Sequence, residues 1–291
     1  MTPTTATETE KLTFAQYLDF QGEPGVLYEL YRGQLIPMAT PSAEHTQICE
    51  YLAYCFQRYI TTQGLELVAK TTVGVRTQED SARIPDVVVC ERGLWEALRT
   101  RSGSGVLNLG ETPCLVVEVV SDNRRRDYIQ KRAEYAMIEV CEYWIIDPRD
   151  QQVWVLTHPE REDEIYERAE FRPGQTIVSA IFSDLKLPVL EVLAPPLTED
   201  LIRIEQQKLQ QEIQARQLAE QQTQQEIQAR QLAEQQTQQE IQARQLAEQQ
   251  IQQEIQARQL AEQQTETALR RVQMLAQRLQ ELGIDPNEIV G

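Results

Sequence analysis

Several features that mark common protein classes are scarce in this chain of 291 residues. It contains two histidines, which gives little support to a histidine-rich metal site or to a Ser-His-Asp triad. Its five cysteines form no CxxC pair, which predicts reduced core thiols rather than a disulfide framework or a zinc site. No apolar run approaches the roughly 18 residues that a membrane span requires, and the first residues, MTPTTATETEK, lack the pattern of a signal peptide. We therefore expect a cytoplasmic protein that makes no contact with a membrane.

Positive charge is also in short supply. The net charge is −17 at pH 7, and acids outnumber bases both in the first 196 residues and in the remainder. This balance excludes a protein that coats nucleic acid through an overall basic surface. Any contact with phosphate groups must depend on local basic clusters or on metal ions.

The composition divides the chain into four segments. Residues 1–11 are rich in threonine and glutamate, and we expect them to be disordered. Residues 12–196 mix short strand-like runs with two or three helices, which predicts one α/β (α+β) domain. Residues 197–283 have no glycine or proline before Gly283, which predicts one long helix, and residues 284–291 form a C-terminal tail.

The long helix is built from a sequence repeat. The unit EIQARQLAEQQTQQ begins at Glu212 and recurs with small changes at 226, 240 and 254, a period of two heptads. Its apolar residues, such as Ile213 and Leu218, do not form a strict a/d seam, so a coiled coil formed by the repeats alone would be weak. The apolar spacing improves over 261–282. We expect a helical stalk that self-associates near its end and makes the protein a homo-oligomer, a dimer in the simplest case.

Within the first domain, local patterns predict several elements. Thr13 and Gln16 have the spacing of a capping box and predict the start of a short helix. A longer helix should begin after Ser42 and end at Gly64. We expect a polar loop over 99–112 and a further helix over 127–137.

Two acidic residues stand next to or inside apolar strands. Asp86 directly precedes the run VVVC, and Glu118 lies in the middle of CLVVEVV. A buried carboxylate is costly unless it has a partner, a metal ion or water. Either acid alone could belong to an edge strand or to a salt bridge with an arginine. Together, on the ends of adjacent strands, two acids could bind a divalent cation that polarises a phosphodiester.

A basic segment follows Glu118. Arg124, Arg125 and Arg126 could form a solvated entry to a helix, or they could receive phosphate groups. Lys131 shares one face of the predicted helix with Asp127 and Tyr135, so this face can point toward Glu118 if the helix packs beside the strand. The other candidate residues are the histidines: His158 is expected to be an ordinary surface residue, whereas the role of His45 stays open.

The order of these motifs carries a family resemblance. The segments YELYRGQLIPM, PSAEH, IPDVVV, VVEVVSDNRRRDYIQKRAEYA and EYWIIDP follow one another along the chain. This set resembles the Uma-two family of restriction-endonuclease-like proteins in the PD-(D/E)xK nuclease superfamily, over residues 12–193. The resemblance implies a mixed central sheet with flanking helices and a metal-dependent endonuclease that hydrolyses DNA.

The resemblance also implies roles for individual residues. Asp86 and Glu118 would bind Mg²⁺ or Mn²⁺, together with the backbone carbonyl of Val119. Val120 stands where the common E-x-K pattern has lysine. Lys131 would supply that charge from the following helix, and would orient or deprotonate the attacking water or stabilise the transition state.

Further positions match the family less specifically. Glu29 would assist metal binding, and His45 and Tyr135 would lie near the site in roles that the resemblance does not define. Two alternatives stay open: a protein that keeps the nuclease fold but serves as a scaffold, recruiting partners through its long helix, and a nuclease that acts on RNA or on branched or damaged DNA.

Overall fold

The computed structural model describes residues 11–121, 124–160 and 165–283. Residues 1–10 of the segment 1–11, which was expected to be disordered, lie outside these ranges, as does the C-terminal tail 284–291. The chain divides into two compact units, with the division between Gln206 and Gln207.

The first unit contains helices and strands in mixed order. The helices are α1 (Phe14–Leu18), α2 (Ala43–Gln63), α3 (Arg92–Arg99), α4 (Arg132–Met137), α5 (Val189–Leu193) and the start of α6 (Thr198–Glu281). The strands are β1 (Tyr28–Tyr31), β2 (Gln34–Pro37), β3 (Leu67–Lys70), β4 (Gly74–Gln78), β5 (Ser81–Arg83), β6 (Val87–Glu91), β7 (Val106–Leu107), β8 (Leu115–Val119), β9 (Glu142–Asp147), β10 (Gln152–Glu160), β11 (Ile165–Phe171), β12 (Thr176–Ile177) and β13 (Leu187–Pro188).

The strands form two mixed sheets and a small two-stranded one. The larger sheet has the order β11-β10-β9-β8-β6-β3, and only β8 and β9 in it are parallel neighbours. The smaller sheet has the order β2-β1-β5-β4-β7, in which β4 and β7 are parallel. The predicted mixed α/β fold is confirmed, although most of its strands are divided between two mixed sheets rather than gathered in one.

The larger sheet is covered on both faces. One face packs against α2 through the first core cluster, and the other packs against α3 and α4 through the second. All five residues of β8 are buried, which explains why CLVVEVV reads as a continuous apolar run rather than an alternating one.

Local capping signals confirm the predicted helix starts. The Thr13 hydroxyl accepts from the Gln16 amide while the Gln16 side chain accepts from the Thr13 amide, a complete capping box. Ser42 caps α2, and Gly64 ends that helix in the left-handed conformation at φ 63°. Both ends therefore lie where the side-chain chemistry of the sequence predicts them.

Other expectations were wrong in detail. Residues 99–112 are not an uninterrupted loop, because α3 occupies their start and β7 lies within them. The segment Arg126–Lys131, expected as ordinary α-helix, is a π-helical turn that continues into α4. A π-turn inserts one extra residue per turn and is a frequent feature of functional sites.

The helix α6 extends over 84 residues, and none of them is buried. In the N-terminal unit, Glu205 of this helix accepts hydrogen bonds from Tyr54 Oη at 3.1 Å and Arg58 Nε at 3.0 Å. In the second unit, ion pairs such as Arg216–Glu220 join side chains four residues apart. Within the described ranges, no helix has both the length and the apolar character to cross a membrane.

Candidate active site

The pleat of β8 decides where Glu118 points. Val117 and Val119 pack on the α2 side of the sheet, whereas Val116 and Val120 belong to the core on the α4 side. Because side chains alternate along a strand, Glu118 faces α4. Its side chain is almost completely buried there.

Two residues near the start of α4 meet this carboxylate. Lys131, the last residue of the π-helical turn, donates from Nζ to Glu118 Oε2 at 2.7 Å. Tyr135, one turn later, donates its hydroxyl to the other oxygen, Oε1, at 2.7 Å. The sequence prediction that these two side chains share a face directed at Glu118 agrees with these distances.

Asp86 lies immediately before β6, the neighbour of β8. Its Oδ2 accepts a hydrogen bond from the amide of Val119 at 2.6 Å, and its Oδ1 lies 2.9 Å from His45 Nε2. Burial lowers the pKa of His45, but the hydrogen bond and charge of Asp86 outweigh it and leave the pKa above its ordinary value. The amide N–H of Val119, the residue whose carbonyl was expected to bind metal, therefore contacts Asp86 directly.

The smaller sheet contributes Glu29 from β1. Its Oε1 lies 3.1 Å from Lys131 Nζ and accepts the amide of Ile84 at 3.2 Å. Its Oε2 accepts from Arg83 Nη1 at 3.0 Å. Burial opposes ionisation of Glu29, but Lys131 and Arg83 prevail and keep its pKa below the ordinary value.

Arg83 also holds α4 in place. Its guanidinium donates to both oxygens of Glu134, with Nε at 2.8 Å and Nη2 at 2.5 Å. Thr77 donates a third hydrogen bond to Glu134 at 2.9 Å. The buried Arg83 thus connects Glu29 in the smaller sheet with the helix that carries Lys131 and hence with Glu118.

Asp127 completes the acidic cluster. It lies one turn before Lys131, with its Oδ1 3.8 Å from Nζ, and it is buried. Its Oδ2 has no hydrogen-bond partner among the described residues. A buried carboxylate oxygen without a partner is unusual, because the lost hydration is not replaced.

Carboxylates outnumber cations in this cluster. Burial raises the pKa of Glu118 well above its ordinary value; Lys131 opposes this shift, whereas Asp86, Asp127 and Glu29 add to it. Burial lowers the pKa of Lys131, but Glu118, Glu29 and Asp127 outweigh it and raise the pKa. The surrounding carboxylates thus raise both pKa values, in addition to the burial that raises that of Glu118.

The three arginines before the helix differ in their surroundings. Arg124 is paired with Asp147 at 2.7 Å and with Asp150. Arg126 lies 3.8 Å from Glu29, at the edge of the acidic cluster, and Arg125 is exposed. Arg124 thus already has carboxylate partners, whereas Arg125 is open to solvent.

His158 is exposed, as expected, and lies 3.2 Å from Glu167.

Some residues of the cluster were missed by the sequence reasoning. The sequence places Asp127 on the helix face that can point toward Glu118 but assigns it no role in the site. Arg83 and Glu134 carried no such signal, because they lie 51 residues apart and meet only in the folded chain.

Comparison with known proteins supports the same fold. Residues 14–190 match the model of the Uma2 (Uma-two) family, described as "Putative restriction endonuclease". A crystal structure of "a putative nuclease belonging to DUF820" from Anabaena variabilis is similar, with a TM-score of 0.50 and 19% sequence identity. The match covers 63% of this chain and 98% of that one. Among curated proteins, none matches.

Proposed function

This chain belongs to the Uma2 family, and from that premise we propose that it is a metal-dependent endonuclease that hydrolyses DNA phosphodiester bonds. One observation supports the proposal above all: Lys131 Nζ donates a hydrogen bond to Glu118 at 2.7 Å. Asp86 and Glu29 lie beside this pair, at the point where the two sheets and the helix meet. A buried group of acids with one lysine has a cost in stability, which a catalytic role would explain.

The donor set fits a hard divalent cation. Asp86 and Glu118, with the carbonyl of Val119, are the residues that would hold Mg²⁺ or Mn²⁺, and Glu29 would assist them. All of these groups offer oxygen atoms, which Mg²⁺ prefers. The excess of carboxylates and the unpartnered Oδ2 of Asp127 are the signs of a site that lacks positive charge. When bound, such a cation polarises the phosphodiester and lowers the pKa of attacking water.

Other residues around the site have separate proposed roles. Lys131 offers a positive charge at Nζ, where it can stabilise negative charge that develops on a phosphate oxygen. Tyr135 keeps the Glu118 carboxylate in a fixed orientation through its hydroxyl. His45 does the same for Asp86. Arg125 and Arg126 stand at the entry to α4, where they can bind phosphate groups next to the site.

Self-association forms the second part of the proposal. We assign α6 the role of a stalk that joins two copies of the chain. Nuclease domains held in pairs can cut both strands of a duplex, because each domain acts on one strand. The exposed apolar residues near the end of α6, such as Leu275 and Leu282, are suited to such a contact.

A cleavage assay tests the proposed reaction. Supercoiled plasmid, linear duplex, single-stranded DNA and RNA are incubated with the full chain in EDTA, Mg²⁺ or Mn²⁺. We expect DNA cleavage that requires the cation and that Asp86→Ala abolishes. The exposed acid Asp184, changed to Asn, serves as a matched control and should cleave at the wild-type rate. Equal cleavage by Asp86→Ala and the wild type would contradict the assigned site. Cleavage of RNA alone would show that the substrate is RNA rather than DNA.

The long helix favours one alternative function. An exposed helix of 84 residues offers a large surface for recruiting partners, as a scaffold protein would. A purified chain that cuts none of these nucleic acids with any cation would favour this role over catalysis.

A further inference from the structure

We propose that His45, Cys49 and Asp86 form a second metal site, which binds a zinc-like transition-metal ion and thereby inhibits the nuclease. The binding site stands on the geometry alone, whereas its inhibitory effect rests on the function proposed above. The two can therefore fail separately.

The geometry begins with α2. His45 and Cys49 are four residues apart on this helix, so their side chains lie on the same face. Asp86 approaches that face from the start of β6. One nitrogen of the histidine, the sulfur of the cysteine and one carboxylate oxygen all lie within 4.8 Å of one another.

These distances are somewhat longer than those around a bound ion. Zinc bonds are about 2.3 Å to cysteine sulfur and about 2.0–2.2 Å to nitrogen or oxygen, so two ligands of one tetrahedral zinc ion lie about 3.4–3.6 Å apart. The three ligand atoms must therefore approach one another by up to about 1 Å to close around an ion. His45 Nε2 and Asp86 Oδ1, 2.9 Å apart, now share a hydrogen bond, so binding of an ion would release that proton and the thiol proton of Cys49 to solvent.

The ligand types determine which ion fits. Thiolate and imidazole ligands select zinc and related transition metals, whereas Mg²⁺ and Ca²⁺ take oxygen ligands. Three protein ligands of this kind leave a fourth position for water, as in zinc sites that are open to solvent. The neighbouring acids offer only oxygen, so the chain presents two adjacent sites with different preferences.

Asp86 belongs to both sites. An ion held by His45 and Cys49 would engage Asp86 and place positive charge beside the position of the catalytic cation. Zn²⁺ should then inhibit cleavage, and higher Mg²⁺ concentrations should relieve that inhibition. The nuclease would then be active only where the concentration of free Zn²⁺ is low.

Binding can be tested without activity by using Co²⁺ as a spectroscopic probe. Added to the full chain, Co²⁺ bound through a cysteine thiolate gives a charge-transfer absorption in the near ultraviolet. We expect this band in the wild type and its loss in Cys49→Ser. Cys55→Ser is the matched control, because Cys55 lies on the same helix but outside the three-residue group, and it should keep the band.

A second variant is needed because Cys49 is buried, and a loss of the band in Cys49→Ser could also come from misfolding. The His45 side chain is 18% exposed, so His45→Gln should fold. We expect its Co²⁺ affinity to fall at least about 100-fold, since loss of a residue that merely orients a ligand already lowers affinity about 10- to 100-fold. A band of wild-type strength in Cys49→Ser, or wild-type affinity in His45→Gln, would overturn the site.

The inhibitory effect is measured as the ratio of cleavage rates with and without Zn²⁺ at fixed Mg²⁺. We expect Zn²⁺ to slow the wild type strongly and Cys49→Ser much less. Zinc that leaves the wild-type rate unchanged, or that supports cleavage by itself, would overturn the inhibitory role. A Cys49-dependent Co²⁺ band in a chain that cleaves no nucleic acid would support the metal site and contradict the proposed nuclease function.

Discussion

Lys131 donates a hydrogen bond from Nζ to Oε2 of Glu118 at 2.7 Å, and both side chains are buried. The pair joins the central strand β8 to the start of α4. Under the proposed function this pair would also compensate for Val120, which packs in the core at the position where the resemblance to the nuclease superfamily expects a lysine. The positive charge therefore comes from a helix rather than from the strand, and the contact depends on how α4 is held.

Replacing Lys131 should separate catalysis from folding. In Lys131→Gln the amide can still donate to Glu118, but the positive charge is lost. We expect the cleavage rate to fall about 10²- to 10³-fold, the usual effect of removing one group that stabilises a developing charge. Single-turnover cleavage with Mg²⁺ measures the change. Lys131→Gln that cleaves at the wild-type rate would exclude a catalytic role for this residue.

The buried Arg83 should be important for stability. Arg83→Met removes the guanidinium that pairs with the buried carboxylates of Glu29 and Glu134, and removal of one member of a buried pair costs about 3–5 kcal/mol. Urea denaturation measures the free energy of unfolding. Arg58→Met is the control, because its pair with Glu205 is largely exposed and should contribute at most about 1 kcal/mol. Equal losses in both variants would contradict the assigned role of Arg83.

Divalent cations should stabilise the metal-free protein. A ligand that binds only the folded state at 100 times its dissociation constant adds about 2.7 kcal/mol. For a domain of this size each kcal/mol raises Tm by about 2–4 °C. We expect Mg²⁺ or Mn²⁺ to raise Tm of the EDTA-treated wild type, and to raise that of Asp86→Asn much less. Differential scanning fluorimetry can follow both, and equal shifts would mean that the cation binds elsewhere.

The stalk prediction can be tested by two deletions. Removal of 261–291 should lower the mass in solution to that of the monomer, because the best apolar spacing lies there. Removal of 226–239 deletes one repeat, equal to two heptads, and so preserves the register of the helix. Light scattering after size-exclusion chromatography should show an unchanged oligomeric state for the second variant. A wild-type chain that is already monomeric would reject self-association.

Much of the fold could be predicted because local chemistry determines it. The helix starts at Thr13 and Ser42 follow from capping, and the buried strand around Glu118 follows from its apolar run. The family motifs added the order of the elements. What local patterns could not provide was the division into two sheets, since strand order depends on contacts between distant segments.

The candidate site could likewise be predicted only in part from local sequence patterns. Asp86 and Glu118 stand out as acids next to or inside apolar runs, and Lys131 stands out by its face of the predicted helix; the structure brings these residues into one cluster. Arg83 and Glu134 could not be found in this way, because their pairing depends on the packing of the smaller sheet against α4. The π-helical turn at Arg126–Lys131 was also missed, because helical spacing does not reveal the extra residue.

The most direct test of the proposed active site is the rate of Mg²⁺-dependent plasmid cleavage by the wild type and Glu118→Gln. Glutamine keeps the shape of the side chain but removes the charge that a cation would need, and its one carbonyl oxygen can replace only one of the two acceptors that Lys131 and Tyr135 now use. We predict cleavage by the wild type only with a divalent cation, and a rate at least about 100-fold lower in the variant, the scale on which loss of one transition-state contact acts. A folded Glu118→Gln that cleaves as fast as the wild type would contradict the assignment of this site.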